Sequence, residues 1–122
     1  MNDILWMVTI VNRDDWNLID RTGRKTVATT DPMTYTVFLS EDLKGDFLVT
    51  VLIHELAHCA MVSYNLYNNV RKMTKQEYWI EMEEFICNFI ADYGRIIYNT
   101  AYEIMGTNAI KMIPKMLDNV YK

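Results

Sequence analysis

The stretch from Val51 to Ala60 reads VLIHELAHCA and contains two histidines and a glutamate within an apolar run. Its apolar spacing predicts a helix that starts at Asp46 and ends near Leu66. On such a helix His54 and His58 lie one turn apart on the same face, because Cβ atoms at positions i and i+4 are about 5–6 Å apart. Two imidazoles in this arrangement can bind one metal ion.

The spacing of these residues matches the chemistry of zinc. Imidazole nitrogens bind zinc at about 2.0–2.1 Å, and catalytic zinc sites keep one position open for water. Glu55 lies roughly 100° around the helix from His54, so it can act as the base for that water without binding the metal. The HExxH pattern therefore predicts a Zn²⁺ site with His54 and His58 as ligands and Glu55 as the catalytic residue. The alternative is a buried helix whose histidines are hydrogen-bonded core residues.

A third protein ligand must come from elsewhere in the chain, because catalytic zinc sites usually have three. The sequence contains only two histidines, which excludes the extended pattern HExxHxxGxxH and leaves a carboxylate or a thiolate. The next predicted helix offers three candidates, Glu81, Glu83 and Glu84. We prefer Glu84, because Asn88 lies four residues later on the same face and could support a carboxylate or a histidine by hydrogen bonding. Glu81 is the next candidate, and Glu83 points more nearly with Cys87.

The composition indicates a single globular domain over residues 1–122. Hydrophobic residues make up 51% of the chain and charged residues 23%. The formal net charge of −4 gives no electrostatic reason to expect nucleic acid or an anionic membrane as a partner. We therefore expect neither of these partners.

The expected compartment is the cytoplasm. The N-terminal residues lack the features of a signal peptide, and no stretch approaches the roughly 18–20 apolar residues of a membrane span. Cys59 and Cys87 are too few for a disulfide framework. Because each lies in a predicted helix, buried reduced thiols are favoured.

Strands are predicted before the motif helix and helices after it. The predicted strands are residues 4–11, a hairpin formed by residues 16–20 and 25–30 that turns at Gly23, and residues 35–39. This order predicts an α+β fold in which two to three helices pack on a small N-terminal antiparallel sheet. The strand at 35–39 could be an edge that pairs with an extended peptide, or an ordinary strand without substrate contact.

The second predicted helix covers residues 74–98, after a loop that follows Asn69. Thr74 and Glu77 have the spacing of a capping box. Apolar residues at three-to-four spacing predict the face that packs on the core: Tyr78, Met82, Phe85, Phe89, Tyr93 and Ile96. A last helical stretch is predicted over residues 101–120, weakened at Gly106 and broken at Pro114.

Several of these features together resemble small zincins of phages and prophages. They are the strand ending YTVFLS at residues 35–40, the HELAH motif at 54–58 and the helix segment EEFICNFIADYG at 83–94. More distantly, the chain is similar to the ImmA/IrrE metallopeptidases. In that family a Glu-x-x-Ala-Asn-type element on the next helix supplies the third ligand, and residues 84–88 match it with Cys87 replacing Ala. The resemblance covers roughly residues 34–94 and implies that Glu84 is the third ligand of a gluzincin-like set.

The predicted function is hydrolysis of a peptide bond by zinc-bound water, with a peptide or protein as substrate. Tyr64, Tyr93 and Tyr98 are candidate donors to the developing oxyanion. One alternative is a non-catalytic binding or regulatory protein with a structural zinc, in which Cys59 or Cys87 could be the fourth ligand. Another is a metal hydrolase that acts on a different bond.

Overall fold

The computed structural model describes residues 1–106, which form two compact units. The first unit, Met1–Asp92, contains strands β1 (Met7–Val11), β2 (Ala28–Asp31) and β3 (Thr36–Ser40) and helices α1 (Gly45–Ser63), α2 (Tyr67–Met73) and α3 (Trp79–Phe89). Short 3₁₀ turns occupy Trp16–Leu18 and Gln76–Tyr78, and a π-helical segment covers Ile90–Gly94. The second unit begins at Tyr93 and contains helix α4 (Arg95–Met105). The predicted α+β class is confirmed.

The sheet is mixed, with strand order β1-β3-β2. β3 pairs in parallel with β1, with Met7 opposite Thr36, and antiparallel with β2, with Ala28 opposite Leu39. The expectation of a purely antiparallel sheet is therefore wrong for one of its two strand pairs. The long segment between β1 and β3 makes this crossover possible. Because β3 is central, the predicted strand at 35–39 is not a sheet edge; the edges are β1 and β2.

The hairpin predicted over residues 16–30 is only partly formed. Its first arm is a 3₁₀ turn instead of a strand, and the two arms share one antiparallel bridge between Ile19 and Lys25. The turn closes with hydrogen bonds from the Asp20 N–H to the Arg24 carbonyl (2.8 Å) and from the Gly23 N–H to the Asp20 carbonyl (2.9 Å). Gly23 adopts a φ of +83°, a conformation that glycine reaches without steric strain.

The hydrophobic core lies between the sheet and α1. Its fully or nearly fully buried members are Ala28, Val37, Leu39, Leu43 and Cys59. Partly buried side chains from α1 pack against them, including Val51, Leu52 and Leu56. Burial of a large aliphatic side chain contributes about 1.5–3 kcal/mol. This packing holds the motif helix against β2 and β3.

Among residues 1–106, α1 is the single helix long and apolar enough, by length and composition alone, to cross a membrane. The sequence analysis expected no such stretch. However, α1 packs on β2 and β3 and buries Glu55 and His58. The buried side of this helix therefore carries polar side chains and packs on the sheet.

The segment after α1 differs from the sequence prediction. The residues expected to be a loop form α2, and Thr74 ends that helix instead of starting the next one. α3 starts at Trp79 without a side-chain cap, so the predicted capping box is not formed. The predicted helix 74–98 is thus divided among several helical segments. Of the predicted stretch 101–120, α4 covers the beginning and residues 107–122 lie outside the described chain.

Helix α3 does not bury the apolar face that its periodicity predicts. Its buried residues are Glu83 and Cys87, whereas Phe85 is 66% exposed. The other members of the predicted core face are also exposed or half-buried: Tyr78, Met82, Phe89, Tyr93 and Ile96. The prediction of this core face is wrong because the spacing of apolar residues carries no information about polar partners on other segments. In α3, Glu83 is buried against two such partners, His58 and Arg21. Hydrogen bonds to those partners orient α3 instead.

Candidate metal centre

Helix α1 brings the two motif histidines together at the surface of the core. The Nε2 atoms of His54 and His58 are 3.1 Å apart, and the ring centroids are separated by 4.8 Å. His58 is buried and His54 half-buried. Both rings therefore direct the same nitrogen toward one point, as the i, i+4 spacing predicts.

Glu84 on α3 completes a cluster of potential metal ligands with the two histidines. Its Oε2 lies 3.2 Å from His54 Nε2, and its Oε1 lies 3.2 Å from His58 Nε2. The ligand atoms of these three residues all lie within 4.8 Å of one another. Ligands at 2.0–2.1 Å from a tetrahedral zinc are about 3.3 Å apart from each other. The two histidine nitrogens have this spacing, and each lies at a similar distance from one oxygen of Glu84.

Glu83, the residue before Glu84, contacts the opposite side of His58. Its Oε2 accepts a hydrogen bond from His58 Nδ1 at 2.5 Å, and Tyr67 donates to the same oxygen at 3.3 Å. Histidines that bind metals generally donate their other ring nitrogen to a carboxylate or carbonyl, which fixes the ring orientation. Glu83 meets that requirement for His58. The sequence analysis anticipated that Glu83 points with Cys87 but did not assign it this contact.

Arg21 contacts both glutamates from the turn before β2. Its Nη1 lies 3.1 Å from Glu83 Oε1, and its Nη2 lies 3.3 Å from Glu84 Oε1. Sequence reasoning missed Arg21. No spacing relates a hairpin residue to a helix more than sixty positions later in the chain.

Asn88 and Glu81 do not have the roles considered for them. Asn88 is exposed at the margin of the cleft, and the support expected from it is provided by Glu83 and Arg21. Glu81 is also exposed and is not part of the ligand cluster. Of the three glutamates considered, only Glu84 is placed to be a ligand together with both histidines.

The electrostatics of the cluster favour a positive charge at its centre. Burial opposes the charged form of His58, but hydrogen bonds with Cys87, Glu83 and Glu84 outweigh burial and raise its pKa to about 12. Burial likewise opposes the ionised form of Glu83, yet His58 and Arg21 hold its pKa below the usual value. Hydrogen bonds with His54 and His58 lower the pKa of Glu84 well below its usual value. The carboxylates can therefore be balanced by a proton on His58 or by a divalent cation.

Glu55 lies beside this cluster without belonging to it. Its side chain is buried, and its Oε2 accepts a hydrogen bond of 2.5 Å from the hydroxyl of Thr30 on β2. The Thr30 hydroxyl also lies 3.3 Å from the Glu55 backbone carbonyl. The edge strand thus holds the carboxylate in place, and Glu55 lines the same cleft as the two histidines.

The cluster opens into a cleft of about 1200 Å³ in the first unit. One wall is the edge strand β2, all four residues of which line the cleft, and another is the face of α3 that carries Glu81, Glu83 and Glu84. Exposed apolar side chains also line it, including Trp16 and Phe47. A ligand in this cleft would contact a sheet edge and the metal cluster at the same time.

The tyrosines around the site differ from those considered in the sequence analysis. Tyr67 lines the cleft next to Glu83, whereas Tyr64 does not line it. Tyr93 and Tyr98 belong to the second unit. Burial and the charge of Glu83 raise the pKa of Tyr67 to about 12, so its hydroxyl remains a donor at neutral pH.

Cys59 and Cys87 are free, buried thiols, as predicted. Burial and the charge of Glu55 raise the pKa of Cys59 to about 11. Within residues 1–106, the ligand cluster contains two histidines and Glu84 and neither cysteine. Three protein ligands would leave one position of a tetrahedral zinc for a ligand from solvent.

Comparison of the chain with protein-family models, with curated proteins and with solved structures finds no significant match.

Proposed function

We propose that this protein is a zinc-dependent peptidase in which His54, His58 and Glu84 bind the metal and Glu55 is the general base. The observation that carries this proposal is the convergence of three side chains in an open cleft. The Nε2 atoms of His54 and His58 lie 3.1 Å apart, and each lies 3.2 Å from one oxygen of Glu84. When bound by these residues, zinc would supply a water acidified to a pKa of about 7 and a Lewis acid for the substrate carbonyl.

Glu55 transfers the proton during hydrolysis. Thr30 holds Oε2 of this carboxylate, which leaves Oε1 to accept a proton from the attacking water and pass it to the leaving amine. Because Thr30 is on β2, the position of the base depends on the strand that also lines the cleft. Tyr67 lines the same cleft and donates to Glu83, and it is the candidate donor to the developing oxyanion.

A peptide substrate is supported by the position of β2. This strand is an edge of the sheet and lines the cleft beside Glu55. An extended peptide can add to such an edge through main-chain hydrogen bonds, which places its backbone carbonyls along the cleft. The sequence analysis had considered β3 for this role, but β3 is central, so β2 takes it. A substrate that is not a peptide would make no use of this edge.

A structural zinc site is the less favoured alternative. Structural zinc sites generally have four protein ligands, whereas the cluster within residues 1–106 has three and no thiol. A buried glutamate oriented by Thr30 also has no evident use in a structural site. A cytoplasmic location and the kinship with phage zincins remain predictions that accompany the peptidase proposal.

The test of this proposal is the Glu55→Gln variant, which removes the base and retains the shape of the side chain. Zinc content would be measured by atomic absorption, and cleavage of a mixture of unstructured synthetic peptides by mass spectrometry. We expect wild-type zinc stoichiometry and a turnover reduced by at least about 100-fold. Glu81→Gln is the matched control, since Glu81 lines the same cleft outside the cluster, and it should keep both properties.

Two results would contradict the proposal. Retained turnover in Glu55→Gln would remove Glu55 from the mechanism. Unchanged zinc content in His58→Ala would show that the metal, if bound, is held elsewhere.

A further inference from the structure

Arg21 is presented to the candidate metal centre by a tightly hydrogen-bonded turn. The Asp20 carboxylate accepts hydrogen bonds from the backbone N–H groups of Thr22 (2.8 Å) and Arg24 (3.0 Å). The Thr22 hydroxyl donates to the same oxygen at 2.6 Å. These contacts, together with the positive φ of Gly23, restrict the backbone on both sides of Arg21. The backbone from which the Arg21 side chain extends is therefore held in one conformation.

The Arg21 guanidinium bridges Glu83 and Glu84, which contact different nitrogens of the histidine rings. It contacts Oε1 of Glu83, whose other oxygen binds His58 Nδ1. It also contacts Oε1 of Glu84, whose Oε2 faces His54 Nε2. Within the part of the chain that the structure describes, Arg21 is the single lysine or arginine that forms an ion pair with either carboxylate. Among residues 1–106 it is therefore the one permanent cation in contact with them.

We infer that Arg21 is a positioning residue of the metal centre. Neighbouring carboxylates on one helix repel each other, and each would otherwise be free to rotate away from its histidine. The planar fork of the guanidinium holds one oxygen of each carboxylate, which leaves Glu83 directed at His58 and Glu84 Oε2 directed at His54. The inference rests on the proposed zinc site and adds to it a residue outside the motif and the ligand-bearing helices.

The experiment measures metal binding and not only turnover. Zinc dissociation constants of wild type, Arg21→Ala and Arg21→Lys would be determined by competition with a chromophoric chelator. The visible absorption of the Co²⁺-substituted proteins would report ligand geometry, and circular dichroism would report the fold. Arg24→Ala is the matched control. It removes an equal charge from the same turn, and the ion pairs of Glu83 and Glu84 do not include Arg24.

We expect Arg21→Ala to weaken zinc binding by about 10–100-fold and to change the Co²⁺ spectrum, with the circular dichroism unchanged. Arg21→Lys should restore only part of the affinity, because an ammonium group cannot hold both carboxylates in a planar fork. Arg24→Ala should stay within about twofold of wild type, because the contacts that support metal ligands remain intact.

Wild-type affinity and an unchanged Co²⁺ spectrum in Arg21→Ala would overturn the inference. A raised KM with intact zinc affinity would also overturn it, since that result assigns Arg21 to substrate binding. If Arg21→Ala does not fold, Arg21→Lys decides: full affinity contradicts the fork and reduced affinity supports it. A wild-type protein that binds zinc but cleaves no peptide would refute the peptidase proposal alone, whereas one that binds no zinc would refute both.

Discussion

Helices α1 and α3 both contribute side chains to the candidate metal centre, but different contacts hold them in the protein. α1 packs apolar side chains on the sheet, with Cys59 buried among Val37 and Leu39. α3 buries Glu83 and Cys87 and leaves large apolar side chains exposed. The first helix is anchored by apolar packing. The rotation of the second is set by hydrogen bonds and ion pairs.

This difference explains how the site is assembled. Apolar packing has little directional preference, so it places α1 without specifying a metal geometry. Polar contacts are directional, and those of Glu83 with His58 and Arg21 select one rotation of α3. That rotation brings Glu84 to both histidines. The site thus depends on the contact between Glu83 and His58 Nδ1 as much as on the HExxH motif.

The largest effect that would test this comparison is expected from Glu83→Ala. The substitution removes a buried carboxylate that pairs with His58 and Arg21. Breaking a buried ion pair by removing one partner costs about 3–5 kcal/mol. We expect a loss of about 3 kcal/mol in the free energy of unfolding, measured with urea on the metal-free protein, and zinc binding weakened by about 10–100-fold.

Glu81→Ala is the control on the same helix. Glu81 is exposed, so its substitution should change the free energy of unfolding by less than about 0.5 kcal/mol. Equal effects of the two substitutions would mean that α3 is not oriented by Glu83.

A smaller effect is expected from zinc itself. A ligand present at about 100 times its Kd stabilises the folded protein by about 2.7 kcal/mol. Zinc should therefore raise the Tm of wild type and of Glu81→Ala, as measured by scanning calorimetry. Glu84→Ala should lose most of this increase, because it removes one member of the ligand cluster. The opposite pattern, with the increase lost in Glu81→Ala, would place the other face of α3 toward the histidines.

The smallest effect is expected from Phe85→Ser on α3. Phe85 is 66% exposed, and substitutions at exposed positions usually change the free energy of unfolding by no more than about 0.5 kcal/mol. Truncation of a buried phenylalanine lowers the free energy of unfolding by about 3–5 kcal/mol. A loss of that size in Phe85→Ser would show that Phe85 is buried, as the apolar periodicity predicts.

Leu39→Ala provides the comparison from the core. Leu39 is 3% exposed, and truncation of a buried leucine to alanine costs about 2–5 kcal/mol. Urea unfolding of Leu39→Ala and Glu83→Ala would compare the apolar packing between the sheet and α1 with the polar contacts that hold α3.

The motif helix was predictable because its signal is local. Its apolar run, the spacing of His54 and His58, and the strand before it are all encoded within a few turns of chain. The order of strands followed by helices likewise predicted the fold class. The preference for Glu84 among the three glutamates agrees with the cluster that the structure forms.

The rotation and contacts of α3 could not be predicted in the same way. Its apolar residues recur at helical spacing, yet that face is largely exposed, because polar partners on distant segments compensate for buried carboxylates. The parallel pairing of β1 with β3 was missed for a related reason. Apolar patterns mark strands but do not identify their neighbours.

The fold class and the helix that carries two histidines and a glutamate follow from residues close together along the chain. Three contacts became visible only in the folded chain: Glu83 supports His58, Glu84 faces both histidines, and Arg21 joins the two glutamates. The position of β2 along the cleft also became visible only in the folded chain. These contacts join segments far apart in sequence, and their energies depend on distance and direction in the folded chain.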